Sequence, residues 1–189
     1  TEVLTGDTVN FDATGSVDND GNIVEYAFDF DGDETVDTTN QHGTTSFSYA
    51  AAGTYTATVT VTDDEGATDS ASVDITVSAP NQAPNAELTA DATDVLTGDA
   101  VTFDATGSVD NDGNIVEYAF DLDGDGAVDT TNQSGTTSFS YAAVGTYTAT
   151  VTVTDDEGAT DSASVDITVE APNQAPNAEL TAAATDVLT

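Results

Sequence analysis

The stretch that decides the fold is Thr146-Tyr-Thr-Ala-Thr-Val-Thr-Val-Thr154, in which apolar side chains alternate with threonine along the whole length. A period of two residues is typical of a β-strand with one buried face. Asp155-Asp-Glu-Gly158 follows as a polar turn, and residues 159–169 alternate again in the same way. The sequence therefore predicts a long antiparallel hairpin that turns its threonines to solvent and its valines to a core.

Shorter strands are predicted before this hairpin, each bounded by polar or glycine-containing turns. They cover residues 85–90, 99–105, 115–122 and 136–141. No segment shows the period of an amphipathic helix. About seven short strands in a unit of this length are typical of a two-sheet sandwich of the immunoglobulin-like type. The predicted fold class is therefore all-β.

The chain is a tandem repeat, because residues 1–91 match residues 93–183 at an offset of 92 with ten differences. Self-similarity at a fixed period predicts repeated domains. Two segments with two prolines each are expected to be short, extended, semi-stiff linkers. The predicted boundaries are repeat 1 over residues 1–79, a linker over 80–84, repeat 2 over 85–170, a linker over 171–176, and the first strand of a further repeat over 177–189.

The repeat is cut out of phase, which leaves two explanations open. Repeat 1 starts without a counterpart of residues 85–90, and residues 177–188 supply a spare copy of that first strand. The chain is then either a window from a longer tandem protein, or its last strand completes the first domain of a neighbouring subunit. Residues 185–189 repeat residues 1–5 in phase, with Asp186 in place of Glu2, which favours the window. In either case the expected partners are other copies of the same repeat.

The charge of the chain limits its partners and its environment. The 189 residues include 36 Asp and Glu and no Lys or Arg, so the net charge is −36. Without a basic patch, nucleic acid and anionic membranes are excluded as direct electrostatic partners, and cations are the expected small partners. Self-repulsion at this charge is screened at about 1 M salt, where the Debye length is roughly 3 Å. The composition predicts a halophilic source, such as a haloarchaeon.

An acidic stretch ends the third of these short strands: Asp121-Leu-Asp-Gly-Asp-Gly-Ala-Val-Asp129. Carboxylates at positions 1, 3, 5 and 9 and glycine at position 6 follow the spacing of an EF-hand-type calcium loop. Alternate side chains of such a loop converge on a hard cation, and Val128 is expected to anchor the loop in the core. The predicted Ca2+ ligands are Asp121, Asp123, Asp125, the backbone carbonyl of Ala127, Asp129 and Asn132.

The first repeat carries a weaker version of this loop, because Glu34 stands where the second copy has glycine. Its predicted ligands are Asp29, Asp31, Asp33, the backbone carbonyl of Thr35, and Asp37. In the second copy Asn132 replaces the bidentate glutamate of position 12, which predicts weaker affinity than that of a calcium sensor. The alternative is a solvated acidic turn in a chain that is acidic throughout.

A second group of acidic residues lies on turns that an immunoglobulin-like topology brings to one end of each sandwich. In the second repeat these are Asp110, Asp112 and residues 155–157. Near a linker, such a group could bind calcium and stiffen the joint. The alternative is surface acidity placed on turns, where Asp and Asn are common anyway.

Several stretches together resemble the PKD (polycystic kidney disease) domain family. They are Val9-Asn-Phe-Asp-Ala-Thr-Gly-Ser16, Asp18-Asn-Asp-Gly21 and Gly53-Thr-Tyr-Thr-Ala-Thr-Val-Thr-Val-Thr-Asp-Asp-Glu-Gly66, and both repeats contain them. The resemblance implies tandem immunoglobulin-like sandwiches in an extracellular or cell-surface protein. One departure is that Phe120-Asp-Leu-Asp-Gly-Asp125 replaces the family's usual Trp-Asp-Phe-Gly-Asp-Gly, which makes a plain hairpin a candidate metal loop.

The leading functional hypothesis is a non-enzymatic structural repeat, a rod-like segment of a cell-surface filament, pilus or giant adhesin. An enzyme is not expected, because His42 is the only histidine, Ser134 replaces it in the second repeat, and Cys and Lys are absent. The alternative is a spacer or carbohydrate-binding accessory module of a secreted hydrolase. Sugar stacking would need exposed aromatic residues, and the aromatics here fall mostly on core-facing positions or strand ends.

Overall fold

The computed structural model describes residues 1–182, and these form fifteen β-strands and no helix. The all-β prediction is confirmed. Without a helix, this part of the chain has no long apolar helical segment of the kind that crosses a bilayer. The chain divides into two compact units, which we call the first domain (Thr1–Pro80) and the second domain (Asn81–Thr189). Of the strand predicted over 177–189, residues 183–189 lie outside the described residues.

The first domain contains seven strands. They are β1 (Glu2–Leu4), β2 (Thr8–Asp12), β3 (Ile23–Asp29), β4 (Thr38–Asn40), β5 (Thr44–Ser48), β6 (Gly53–Asp63) and β7 (Thr68–Ser78). One sheet has the order β1-β7-β6-β3-β4, and the other consists of β2 and β5 alone.

The second domain repeats this arrangement with one strand more, at its beginning. Its strands are β8 (Thr89–Ala90), β9 (Asp94–Leu96), β10 (Ala100–Asp104), β11 (Ile115–Asp121), β12 (Thr130–Asn132), β13 (Thr136–Ser140), β14 (Gly145–Asp155) and β15 (Thr160–Glu170). The sheets have the orders β12-β11-β14-β15-β9 and β13-β10-β8.

The predicted hairpin is the longest element of the second domain. Strands β14 and β15 pair antiparallel from Gly145 opposite Val169 to Thr154 opposite Thr160. Ala149, Val151 and Val153 are fully buried, while the threonines between them lie toward solvent or are only half-buried. The period-two pattern therefore placed the core face correctly, because each face of a strand takes every second side chain.

The structure differs from the strand prediction in three places. Strands β9 and β12 were not predicted, because each has three residues and no apolar alternation of its own. β9 pairs parallel to β15 at a sheet edge, which only the tertiary structure reveals. The segment predicted as a strand over residues 85–90 forms a ladder only at Thr89–Ala90, with an isolated bridge between Asn85 and Val109.

Candidate metal centre

The acidic loop connects β11 to β12 and brings three carboxylates together. Oxygens of Asp121, Asp123 and Asp129 lie within 4.8 Å of one another. The first domain places Asp29, Asp31 and Asp37 in the same arrangement between β3 and β4. Three carboxylates at this distance repel one another in the absence of a cation. The loop of each domain therefore concentrates negative charge at one point, as cation sites do.

Backbone amides fix the first and last of these carboxylates. Both oxygens of Asp121 accept hydrogen bonds, from Gly124 N at 2.8 Å and from Gly126 N at 2.9 Å. Asp129 Oδ2 accepts a hydrogen bond from Leu122 N at 2.7 Å, so this residue closes the loop back on its own start. The carboxylates at positions 1 and 9 are therefore positioned by local hydrogen bonds before any ion binds.

The other predicted ligands occupy different surroundings. Asp123 Oδ1 accepts a weak bond from Asp125 N at 3.2 Å, and Asp125 Oδ1 accepts one from Ala127 N at 2.8 Å. Asp125 lies outside the group of three, and Asp33 likewise lies outside the group in the first domain. Ala127 and Thr35 are exposed at equivalent positions of the two loops.

Asn132 belongs to strand β12 rather than to the loop. It lies opposite Tyr118 in the ladder, and its Oδ1 accepts hydrogen bonds from Ser134 N and Gly135 N, both at 2.9 Å. In an EF-hand the chain continues from the calcium loop into a helix. Here it continues into an extended strand, and the side chain of Asn132 closes the turn before β13.

The expected anchor of the loop is wrong, and the structure identifies another. Val128 is 57% exposed, whereas Leu122, between the first two aspartates, is 1% exposed. The carbonyl oxygen of Leu122 accepts a hydrogen bond from Tyr141 Oη at 2.8 Å. Phe30 and Tyr49 make the same contact in the first domain, at 2.9 Å. Sequence reasoning missed these tyrosines because each directly follows a strand, β5 or β13, and lies 19 residues from its partner in the sequence.

The environment of Tyr141 keeps its phenol protonated. The pKa of Tyr141 is raised to about 12, chiefly by burial and in part by the negative charges of Asp123 and Asp129. Burial likewise raises the pKa of Tyr49, with a contribution from Asp31 and Asp37. Both hydroxyls therefore remain hydrogen-bond donors to the loop at any physiological pH.

The backbone favours glycine at the sixth position of the loop, and the first domain has a glutamate there. Gly126 has a φ of 87°, in the left-handed region that side chains avoid. Glu34 occupies this position in the first domain with a φ of 68°. A residue with a Cβ pays about 1 kcal/mol or more in this region, so the first loop is strained where the second is relaxed.

Tyr141→Phe is expected to lower the free energy of unfolding of the second domain by about 1–3 kcal/mol, because it leaves the buried carbonyl of Leu122 without its donor. Tyr147→Phe is the matched control. Its hydroxyl bonds to Ala143 O at 3.1 Å in an exposed setting, where water can replace it. Urea unfolding of the two variants measures the difference, and equal losses would contradict a buried anchor.

The second acidic group does gather at one end of the second domain, as the topology predicts. Asp156 and Asn114 exchange hydrogen bonds of 2.8 and 2.9 Å. Residues at the start of the domain join them, since Asn81 Nδ2 donates to Asp155 Oδ2 at 2.8 Å and Gln82 N donates to Asp112 Oδ2 at 3.1 Å.

These contacts lower the pKa of one carboxyl of the acidic group. The hydrogen bond from Asn81 holds the pKa of Asp155 below its usual value, and the backbone amides of residues 157–159 lower it further. Within residues 1–182, two buried oxygens of this group, Asp110 Oδ2 and Asn81 Oδ1, have no hydrogen-bond partner. A fully solvated acidic turn does not explain buried oxygens of this kind.

Two sheets that enclose one core, with the strand orders given above, define each domain as an immunoglobulin-like β-sandwich. The family model of the PKD domain matches residues 1–77 and 81–169. The chain belongs to the PKD domain family and consists of two such domains in tandem, which confirms the resemblance seen in the sequence.

Parts of this chain are similar to PKD domains of known proteins. The pre-pro-metalloprotease PrtV of Vibrio cholerae serotype O1 (strain M66-2) is 39% identical over 107 residues, which cover 57% of this chain and 11% of PrtV. The crystal structure of the PKD1 domain of Vibrio anguillarum Epp is 34% identical, with a TM-score of 0.40, and the match covers 49% of this chain and all of that domain. The PrtV PKD1 domain is 35% identical, with a TM-score of 0.38, over 47% of this chain and 99% of that domain.

The similarity to a protease does not extend to a catalytic domain. PKD domains are non-catalytic modules, and the similarity to PrtV covers only 11% of that protease. No catalytic activity is evident from these matches. The chain is an accessory or repeat module of the PKD type.

Proposed function

We propose that this chain is a structural, extracellular repeat: a rod-like segment of a cell-surface filament, pilus or giant adhesin, stiffened by calcium and adapted to high salt. The observation that carries the proposal is the pair of acidic loops. Each domain gathers three carboxylates within 4.8 Å at the same place in its fold. A site that occurs in both domains is expected to stabilise the domain itself, and this is the role of a structural ion.

The donor set fits calcium by its chemistry. Ca2+ binds roughly six to eight oxygens, chiefly from carboxylates, backbone carbonyls and water, and tolerates irregular geometry. Asp121, Asp123 and Asp129 would hold the ion, with Asp125 and the carbonyl of Ala127 as further ligands. Asn132 contributes to the neighbouring turn, so water completes the shell and moderate affinity is expected.

The effect of the ion would be mechanical. Residues 121–129 join β11 to β12 at one side of the larger sheet, and Leu122 and Tyr141 tie the loop to the core. A bound cation relieves the repulsion between the carboxylates and links the two ends of the loop. Because the ion would bind only the folded domain, it would stabilise that domain by RT ln(1 + [L]/Kd), where [L] is the free calcium concentration.

The net charge of the chain indicates the salt concentration to which the protein is adapted. A net charge of −36 without a compensating cation on any side chain favours folding in concentrated salt. We propose a halophilic source, such as a haloarchaeon, and an extracellular location where both salt and calcium are plentiful.

A second candidate is a spacer or carbohydrate-binding accessory module of a secreted hydrolase, and the match to part of PrtV favours it. The sugar-binding form of this candidate needs aromatic rings on the surface. None of the 13 Phe and Tyr side chains, which all lie within the described residues, is exposed. The spacer form remains the stronger version of this alternative.

Electron microscopy of the native material in molar salt, with and without a calcium chelator, tests the proposal. Filaments with a periodic bead that loosen on chelation are the expected result. Isolated particles that are indifferent to the chelator would refute both the filament and the structural ion, and would leave the spacer.

A further inference from the structure

The turn between β12 and β13 contains the sequence Asn132-Gln-Ser134, in which a serine follows an asparagine by two positions. Asn-X-Ser/Thr, where X is not proline, is the sequon that oligosaccharyltransferases accept for N-glycosylation. Of the 11 asparagines in the sequence, Asn132 alone meets this rule. A motif of three residues arises easily by chance, so the site has to be judged by its structure.

The carboxamide of Asn132 is held in one orientation. Its Oδ1 accepts hydrogen bonds from Ser134 N and Gly135 N, both at 2.9 Å, and its Nδ2 donates to the carbonyl oxygen of Thr136 at 3.1 Å. Because donors face one atom of the carboxamide and an acceptor faces the other, the network fixes which atom is nitrogen. The nitrogen that would carry a sugar therefore has a defined place in the turn.

The hydroxyl of Ser134 adds a third bond to the same oxygen. Ser134 Oγ donates to Asn132 Oδ1 at 3.0 Å, which is nearer than the carbonyl oxygen of Thr136 at 3.4 Å. Three donors on one carbonyl oxygen polarise the carboxamide and make its N–H more acidic. A base can then take the amide proton more readily as the nitrogen forms a bond to a sugar carbon. The turn thus presents the asparagine and the serine of the sequon as one unit.

The sequon is accessible at the surface of the second domain. Thr131, Gln133 and Ser134 are exposed, and Asn132 is half-buried. β12 lies at the edge of the larger sheet, so no strand of the described residues pairs with its outer side. A surface turn at a sheet edge can carry a bulky glycan without disturbing the core.

The first domain has the same turn without the hydroxyl. Asn40 Oδ1 accepts hydrogen bonds from His42 N at 2.8 Å and from Gly43 N at 2.9 Å, and Asn40 Nδ2 donates to Thr44 O at 3.1 Å. His42 stands where the second domain has Ser134. Since the turn closes in the same way with histidine, the folding of the turn does not account for the serine of the second domain.

We propose that Asn132 is N-glycosylated and that Asn40 is not. The donor is a glycan linked to a polyisoprenyl phosphate, and an oligosaccharyltransferase catalyses the transfer. Asn132 Nδ2 forms a bond to C1 of the first sugar while the bond between C1 and the phosphate oxygen breaks. The lipid phosphate leaves, and one amide proton passes to a base of the transferase. The other hydrogen on Nδ2 remains available to the carbonyl oxygen of Thr136.

A glycan at this position would protect an exposed sheet edge. The outer side of β12 presents backbone groups that can pair with another chain, and a bulky polar group beside them opposes such pairing. The inference rests on the extracellular location in the proposed function, because oligosaccharyltransferases act on chains that leave the cytosol. It does not depend on calcium, since the side chain of Asn132 closes the turn instead of joining the acidic loop.

Peptide mapping of the native chain by mass spectrometry tests the site. Cleavage before aspartate yields residues 129–154 and the matched residues 37–62, and each peptide contains one asparagine, Asn132 or Asn40. The first peptide should carry the added mass of a glycan, and the second should have its unmodified mass. Fragmentation that keeps the glycan attached should locate it on Asn132 and not on a threonine of the same peptide.

Three variants of the full chain, secreted from a cell that N-glycosylates its own exported proteins, test the role of the hydroxyl. Ser134→Ala should lose the glycan, whereas Ser134→Thr should keep it because threonine supplies the same hydroxyl. His42→Ser should gain a second glycan, on Asn40. Ser134 and His42 are both exposed, so these changes do not threaten folding.

A secreted native chain whose peptide 129–154 has its unmodified mass would overturn the proposal and leave the extracellular location intact. A glycan that persists in Ser134→Ala, or a His42→Ser chain that gains none, would overturn it as well. A native chain found only in the cytosol would overturn both the glycosylation and the location. Calcium titration of the wild-type and Ser134→Ala chains should give equal affinities, which separates this site from the metal loops.

Discussion

Phe103→Ala is expected to lower the free energy of unfolding of the second domain by about 3–5 kcal/mol, the usual cost of removing a fully buried aromatic ring. Phe11→Ala removes the same ring from the first domain and should cost about half of that or less. Phe103 has no exposed surface and shares one buried cluster with Leu88 and Phe120. Phe11 is only half-buried and lines an open groove of about 530 Å3 in the first domain, so water already solvates part of its ring.

Urea unfolding in molar salt measures both values. Two transitions are expected, with the first domain unfolding at the lower urea concentration because its core is partly uncovered. Each variant should move one transition only, which assigns the transitions to their domains. Equal losses for the two variants would mean that the groove does not weaken the first domain.

The sequence predicted the parts of the fold that depend on local periodicity. The hairpin of residues 145–170 was predicted because its alternation runs over about five residues on each face, more than chance produces. The edge strand β9 was not predicted, because a parallel pairing with β15 brings together residues that are far apart in the sequence. Three residues carry too little pattern to reveal such a pairing.

The residues expected to form a linker also make contacts that a local sequence pattern does not reveal. A segment with two prolines and no large apolar residue predicts an extended connector, and residues 80–84 fit that pattern. In the structure Pro84 is buried and Asn81 bonds to Asp155, so most of this segment belongs to the second domain. Nothing local marks these contacts, because Asp155 lies 74 residues further along the chain.

At the acidic loop the sequence pattern located a cluster of carboxylates but did not identify which aspartates form it. In a chain with 36 acidic residues the spacing of carboxylates carries little information by itself. The structure selects Asp121, Asp123 and Asp129, because Leu122 turns inward and draws Asp129 to its own amide. Val128 was expected inside and lies outside, whereas Leu122 is buried and anchors the loop.

Asp123→Asn is expected to reduce the calcium affinity of the second domain about tenfold or more and to remove most of the stabilisation that calcium gives it. At a calcium concentration of about 100 times Kd, the intact site stabilises the folded domain by roughly 2.7 kcal/mol. Asp123 is the right residue to change, since its only hydrogen bond is a 3.2 Å contact with Asp125 N. Asp129 is not, because its carboxylate also holds the amide of Leu122 and its loss would damage the loop directly.

Isothermal titration calorimetry of the full-length chain measures the change, and Glu117→Gln is the control. Glu117 lies exposed on β11 and outside the group of three, so its replacement removes the same charge without removing a ligand. Asp123→Asn should weaken one of the two binding events about tenfold or more relative to this control, and the double variant Asp31→Asn/Asp123→Asn should weaken both. If the double variant binds calcium as the control does, the loops are solvated acidic turns, and the stiffness of the repeat must come from packing and salt alone.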